Sequence, residues 1–275
     1  MDGEKTMLYF WLFLAAAAGI AVLSGILGAA WWLCIVIFLL AFVLIQLLTL
    51  AVIWLLIRKT DLSFPEGHTN PLARTTIRHG ARIICLYGGI KAHLQGLEKL
   101  PRDSRFLYVC NHRSLFDPMM AMAYLADWDI AFISKPSNFK IPLGAPIVQA
   151  AGYLAIDREN DRNALKTILT AADFMKRGVC SIGIYPEGTR SHTGELLPFH
   201  KGSFKAAQRA NVPLAIACIQ GSEKLKHGLL LHPHDVTLTI LELVPAEKVK
   251  AMNTAELADY ARDRIQECLD GGKAE

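Results

Sequence analysis

The sequence predicts an α/β fold: a mostly parallel or mixed central sheet flanked by helices, preceded by an N-terminal hydrophobic two-helix membrane hairpin. Three observations lead there. Residues 6–57 contain no charged side chain. Beyond residue 77, short apolar runs alternate with helical patterns, the signature of strands connected through helices. Polar residues able to do chemistry stand directly after several of those runs, where open α/β sheets bind their ligands. The chain therefore divides into a membrane-anchoring hairpin at 1–59, a linker at 60–76 and an α/β domain at 77–275.

Composition bounds the possibilities. The 275 residues are 52% hydrophobic, and the excess over an ordinary soluble domain lies mostly before residue 58. A net charge of +4 with no basic block does not favour nucleic acid as a partner. The six cysteines stand at 34, 85, 110, 180, 218 and 268 with no CxxC pair, so free thiols in a reducing compartment are expected, not a disulfide framework. His232-Pro233-His234-Asp235 offers an HxH pair but no matching third cluster, and no metal is expected.

The uncharged stretch is 52 residues long. As helix it would reach roughly 78 Å, against a hydrocarbon core of about 30 Å, so two spans fit better than one or three. The break falls near Ser24–Gly28, with Trp31 and Trp32 placed for an interface. Small residues at Ala15, Gly19, Ser24 and Gly28 would let the helices approach closely. Lys5, Arg58, Lys59, Arg74 and Arg78 flank the pair while the turn has no Lys or Arg. The positive-inside rule then puts both ends, and the domain that follows, in the cytoplasm. A hairpin held in one leaflet is the alternative.

Within the linker, Asp61, Pro65, Gly67, Asn70 and Pro71 are turn formers. Leu72–Leu86 is a candidate helix riding on the membrane. Strands are expected at Lys91–Gly96, Phe106–Cys110, Ile130–Ser134, Gly152–Ile156, Val179–Tyr185, Leu214–Ile219 and Val236–Leu243. Helices are expected after an Asp117 cap with Pro118 in the first position, over Asp161–Arg177 with Gly178 as the stop, over Lys201–Ala210, and over Asn253–Leu269 behind an Asn-Thr cap.

Four constellations carry the chemistry. Asn111-His112-Arg113-Ser114-Leu115-Phe116-Asp117 follows a strand. Positions five apart do not share a helix face, so His112 and Asp117 meet only if the chain turns between them; an imidazole so oriented is a general base. No Ser or Cys stands as an obvious nucleophile, which leaves that role to a hydroxyl of the substrate. Tyr185-Pro186-Glu187-Gly188-Thr189-Arg190-Ser191 also follows a strand. Gly188 permits an unusual turn, Thr189 and Ser191 are donors, and the Arg190 guanidinium can grip a phosphate. Gly152 to Arg158, with Lys135 after the preceding strand, adds cations at strand ends. Asn211-Val212-Pro213 leads into a core strand. Lys201, opening a helix after the Arg190 turn, would add to an anion site.

Taken together, the Asn-His…Asp spacing, Glu-Gly-Thr-Arg, Gly…Ile-Asp-Arg and the Val-Pro strand, in that order, resemble the four blocks of the glycerolipid acyltransferases, specifically the 1-acyl-glycerol-3-phosphate acyltransferases. His93–Pro101 is similar to the approach to the first block, and the resemblance runs from about residue 77 to 247. Tyr185, where Phe is common, and Ala155 are small departures. The resemblance implies that His112 takes the proton of the sn-2 hydroxyl of lysophosphatidate, which attacks an acyl thioester. It also implies that Asp117 orients His112, that Asn111 supports the loop, and that Arg190 and Arg158, helped by Lys135 or Lys201, hold the phosphate in a pocket shaped by Glu187 and Gly188. It implies no cofactor or metal, with acyl-CoA or acyl carrier protein bringing the acyl group and the lipid substrate living in the bilayer. Another acyl acceptor, or a membrane-tethered hydrolase, remains as an alternative.

Overall fold

The structure, a computed structural model, describes residues 2–191, 193–226 and 233–271. It divides into two compact units, 1–59 and 60–275.

The first unit is a helical pair. Helix α1 (Asp2–Ile26) turns through 27–30, with Gly28 at φ +89°, into α2 (Trp31–Ile57). Helix α2, 27 residues long, holds an 18-residue window of mean hydropathy 3.0 and is long and apolar enough to cross a membrane; the apolar part of α1 among the described residues, Trp11–Ile26, is shorter. The seam differs from expectation. Ala17 is fully buried and Leu14, Ala21 and Ser24 are half-buried, whereas Ala15 and Gly19 are exposed. Ala15 and Gly19 each stand two positions from Ala17, about 200° around the helix, so they face away when Ala17 faces the partner helix.

The second unit begins earlier than the sequence reading puts the α/β domain. Residues 60–70 are packed, not free: Phe64 is buried edge-on against Phe174, and Arg177 donates to the carbonyls of Ser63 and Phe64. Helix α3 (Pro71–Tyr87) starts inside the expected linker, because Asn70 accepts from the Ala73 amide and Pro71 supplies the first helical position. Then follow β1 (Ile90–Gln95), β2 (Leu107–Cys110), α4 (Phe116–Tyr124), β3 (Ile130–Ser134), α5 (Gly144–Ala150), β4 (Leu154–Ala155), α6 (Asp161–Lys176), β5 (Ser181–Ile184), α7 (Lys205–Ala210), β6 (Leu214–Gln220), β7 (His234–Val244), α8 (Ala246–Ala251) and α9 (Thr254–Gly271).

The strands form one sheet in the order β1-β7-β6-β2-β5-β3-β4. All neighbours pair in parallel except β6 with β7, so the sheet is mixed. In β2 and β5 every residue is buried, as expected of central strands covered by helices on both faces. Leu165 and Leu169 are partly exposed, whereas Ile168, Ala172 and Met175 turn α6 toward the core; Asn160 caps its start and Gly178, at φ +74°, ends it. Helix α9 starts with reciprocal capping, Asn253 Oδ1 accepting from Ala255 and Glu256 amides and Glu256 Oε2 from the Asn253 amide. The short helices α5 and α8 lie in stretches where the sequence pattern predicts none.

Candidate active site

The strand order decides what the site contains. β5 inserts between β2 and β3, so the carboxyl ends of β2, β5, β3 and β4 stand side by side along one parallel edge. His112 follows β2, Glu187–Arg190 follow β5, Lys135 follows β3 and Arg158 follows β4. Four segments spread over almost eighty positions thereby share one rim.

The first loop is fixed from both sides. Asn111, fully buried, extends the sheet with its side chain: Nδ2 donates to the Ile219 carbonyl at 2.9 Å and Oδ1 accepts from the Ile219 amide at 2.8 Å. The His112 amide donates to Glu187 Oε1 at 2.6 Å, and the His112 carbonyl accepts from the Ser191 amide at 2.9 Å. Both backbone groups of the histidine are thus held by the turn after β5. Its ring stacks on Tyr185, centroids 4.6 Å apart, and Tyr185 stacks in turn on Phe132.

The chain then turns as the five-residue spacing requires. His112 Nδ1 lies 2.9 Å from Asp117 Oδ2. The same oxygen accepts from the Arg113 amide at 2.6 Å and the Ser114 amide at 2.7 Å. Asp117 is therefore not the helix cap: α4 begins at Phe116, and the carboxylate reaches back to amides before the helix, not forward to amides within it. The reason is geometric. Three donors converge on a single oxygen of a buried carboxylate, which outweighs one capping bond. With Nδ1–H committed to Asp117, the Nε2 lone pair is left to accept a proton.

Glu187 also departs from a pocket-shaping role. It is buried, and its second oxygen, Oε2, accepts from the Leu197 amide at 3.0 Å, so the carboxylate bridges the His112 loop and the 190s loop. Burial raises its pKa above the ordinary value, offset in part by the Leu197 and His112 amides. Gly188 adopts φ +74°, and a Cβ there would run into the His200 ring, 2.8 Å from Nε2.

The cations form a different environment. Arg158, Lys201, Gly188 and Tyr185 share a cavity of about 430 Å³, with His200 and Lys205 on its polar side and Ile156, Leu165, Ile168 and Ile184 on its apolar side. Partial burial in that wall lowers the Arg158 pKa from its usual value. Arg190, Thr189 and Lys135 do not line this cavity; Thr189 and Lys135 are exposed and Arg190 half-buried. Among the described residues the side chains of Lys135, Arg158, Arg190, Lys201 and Lys205 have no hydrogen bond or ion pair. Lys201 opens a four-residue 3₁₀ stretch, not an α-helix, so its contribution is its own charge and not a helix terminus. A second cavity, of about 300 Å³ beside Arg74 and Asp129, contains none of the residues expected to act.

Sequence reasoning missed Lys205 and the Leu197 amide. Lys205 follows Lys201 by four, the spacing of neighbours on a helix face, and that was the available signal. Of the histidine cluster near residue 232, His232 lies outside the described residues; His93 instead pairs with Asp235 at 2.7 Å. Among the described residues no group of three acidic, His or Cys side chains could hold a metal, and all six cysteines are free.

A family model described as Acyltransferase matches residues 91–220. The chain is 30% identical over 198 residues to the 1-acyl-sn-glycerol-3-phosphate acyltransferase of Escherichia coli, covering 72% of this chain and 76% of that one. It is 31% identical over 192 residues to the chloroplastic 1-acyl-sn-glycerol-3-phosphate acyltransferase BAT2 of Brassica napus; there the match covers 68% of this chain and spans about half, 53%, of the relative. The crystal structure of the 1-acyl-sn-glycerophosphate acyltransferase PlsC from Thermotoga maritima superposes with a TM-score of 0.57 at 23% identity, over 84% of this chain and 98% of that one, and so shares the fold.

Proposed function

The chain belongs to the 1-acyl-sn-glycerol-3-phosphate acyltransferase family, and from that premise we propose that it acylates the sn-2 hydroxyl of 1-acyl-glycerol 3-phosphate from an acyl thioester, giving phosphatidic acid. The observation that carries this reading is the His112–Asp117 contact at 2.9 Å, built into the loop that the Glu187–Ser191 turn holds in place.

In the reaction, His112 Nε2 accepts the hydroxyl proton as the oxygen attacks the thioester carbonyl. The imidazolium that forms is stabilised by Asp117. The tetrahedral adduct collapses with loss of the thiolate, which takes the proton back from His112, so the ester and the free thiol leave a neutral base. General-base action of this kind contributes about 10²–10⁴ in rate. Asn111 and Glu187 are positioning residues: they hold the loop and do not touch the substrate. Arg190, immediately before the Ser191 amide that binds the His112 carbonyl, and Arg158, with Lys135 on the same rim, take the acceptor's phosphate. No metal or prosthetic group takes part. The long apolar helix α2, with α1, anchors the chain in the membrane that contains its lipid substrate and product, with the α/β unit on the cytoplasmic side.

The test is thiol release by the purified full chain given lysophosphatidate and an acyl thioester, wild type beside His112→Ala. Acceptor-dependent release in the wild type, reduced at least about a hundredfold in the variant, is expected. Release without any acceptor would make the protein a thioester hydrolase. Release only with an acceptor lacking phosphate would remove Arg190 and Arg158 from the site.

A further inference from the structure

We propose that the cavity between Gly188 and α7 binds the phosphopantetheine arm of the acyl donor, with Lys201 and Lys205 holding its phosphate. The inference rests on the acyl-transfer reading and adds a second anion site to it.

Two anionic substrates must meet at His112, and their charges lie at different distances from the reacting atoms. The acceptor's phosphate sits on the carbon next to the one bearing the attacking hydroxyl, so its holder must stand beside His112. Arg190 does, through the Ser191 amide bound to the His112 carbonyl at 2.9 Å. The donor's phosphate is the far end of a long, slender arm, so its holder must stand away from the imidazole and be reached through a channel.

The lining of the cavity suits such an arm. Tyr185, whose ring stacks on His112, is on its lining. Ile156, Leu165 and Ile168 offer an apolar lining, and Lys201 and Lys205 add two ammonium groups. Neither has a hydrogen bond or ion pair among the described residues, and Asp161 is the acidic side chain on the lining. Cations gathered in a concave site without protein partners are stabilised by an anionic ligand. The His200 ring covers Gly188, and Arg158 Nη1 lies 3.5 Å from where a Gly188 Cβ would be, so Arg158 stands beside the turn whose Glu187 binds the His112 amide. A cavity of about 430 Å³ accommodates an arm of this kind and not a whole nucleotide with it.

The experiment uses two donors that differ by one phosphate, acyl-pantetheine and acyl-4′-phosphopantetheine, with lysophosphatidate as acceptor. For the wild type the KM of the first exceeds that of the second by about tenfold or more, the loss expected for a charge-assisted contact. In Lys201→Gln/Lys205→Gln that ratio falls toward one. An unchanged ratio, or a rise in the lysophosphatidate KM in place of the donor's, overturns the assignment. Acyl-CoA and acyl carrier protein share the arm, so the double variant must weaken both; weakening of one alone overturns it in favour of the nucleotide's other phosphates or of the carrier protein's surface. Thermal melting checks the fold, and the exposed single variant Lys201→Gln reports a partial effect if the double variant is destabilised. Direct binding of 4′-phosphopantetheine against pantetheine, without acceptor, reads the site even if lysophosphatidate is not the acceptor, so failure here is distinct from failure of the acyl-transfer reading.

Discussion

The loop after β2 and the cation-lined rim beyond β5 and β4 lie on the same sheet edge and follow opposite rules. In the loop, Asn111, His112, Asp117 and Glu187 engage main chain or one another at 2.6–3.0 Å, and three of the four are buried. On the rim, Lys135, Arg158, Arg190, Lys201 and Lys205 have no such partners among the described residues. The difference separates two tasks. A base must hold one geometry through many turnovers, and hydrogen bonds within the protein supply that. A binding group must be available when the ligand arrives, and a standing ion pair would have to be broken first. Substitutions in the loop should therefore depress kcat, and substitutions on the rim should raise KM for one substrate.

The largest break is expected from Asp117→Asn. The amide retains the volume but loses the charge that three donors share, and it presents an N–H where the imidazole needs an acceptor in one of its two orientations. A fall in kcat of about 10³–10⁴ with little change in either KM is the expected outcome, by analogy with the acid of a triad. A variant that keeps its rate would make the His112–Asp117 contact purely architectural.

Glu187→Gln ranks next. A glutamine can accept from one of the two amides, His112 or Leu197, and sets an N–H against the other. Leaving a buried donor unsatisfied costs about 1–3 kcal/mol. Urea unfolding should register that loss, while kcat falls because the His112 amide moves; a phosphate-binding role would instead raise the acceptor KM and leave stability alone.

Arg190→Ala sharpens the rim side. The lysophosphatidate KM should rise by about tenfold or more, with a smaller change for the donor. Equal effects on both substrates would assign Arg190 to the fold, and would remove the distinction between near and far cations on which the donor cavity depends.

The sequence by itself determined the local elements, because each is written in nearby residues. Apolar runs marked six of the strands and a weaker pattern the first, Asn253 marked a helix start, and the uncharged stretch marked the hairpin. His112 and Asp117 could be paired because only a few residues lie between them. Where the residues that decide an outcome are distant, the sequence reading failed or was silent. The packing of residues 60–70 depends on Phe174 and Arg177, more than a hundred positions away. The role of Glu187 depends on β5 lying against β2, which pairs its carboxylate with an amide 75 residues distant. The grouping of Arg158 with Lys201 and Lys205 likewise follows from strand order and helix packing. Propensity and periodicity are properties of neighbours along the chain; partnership among buried polar groups is a property of the sheet that brings them together.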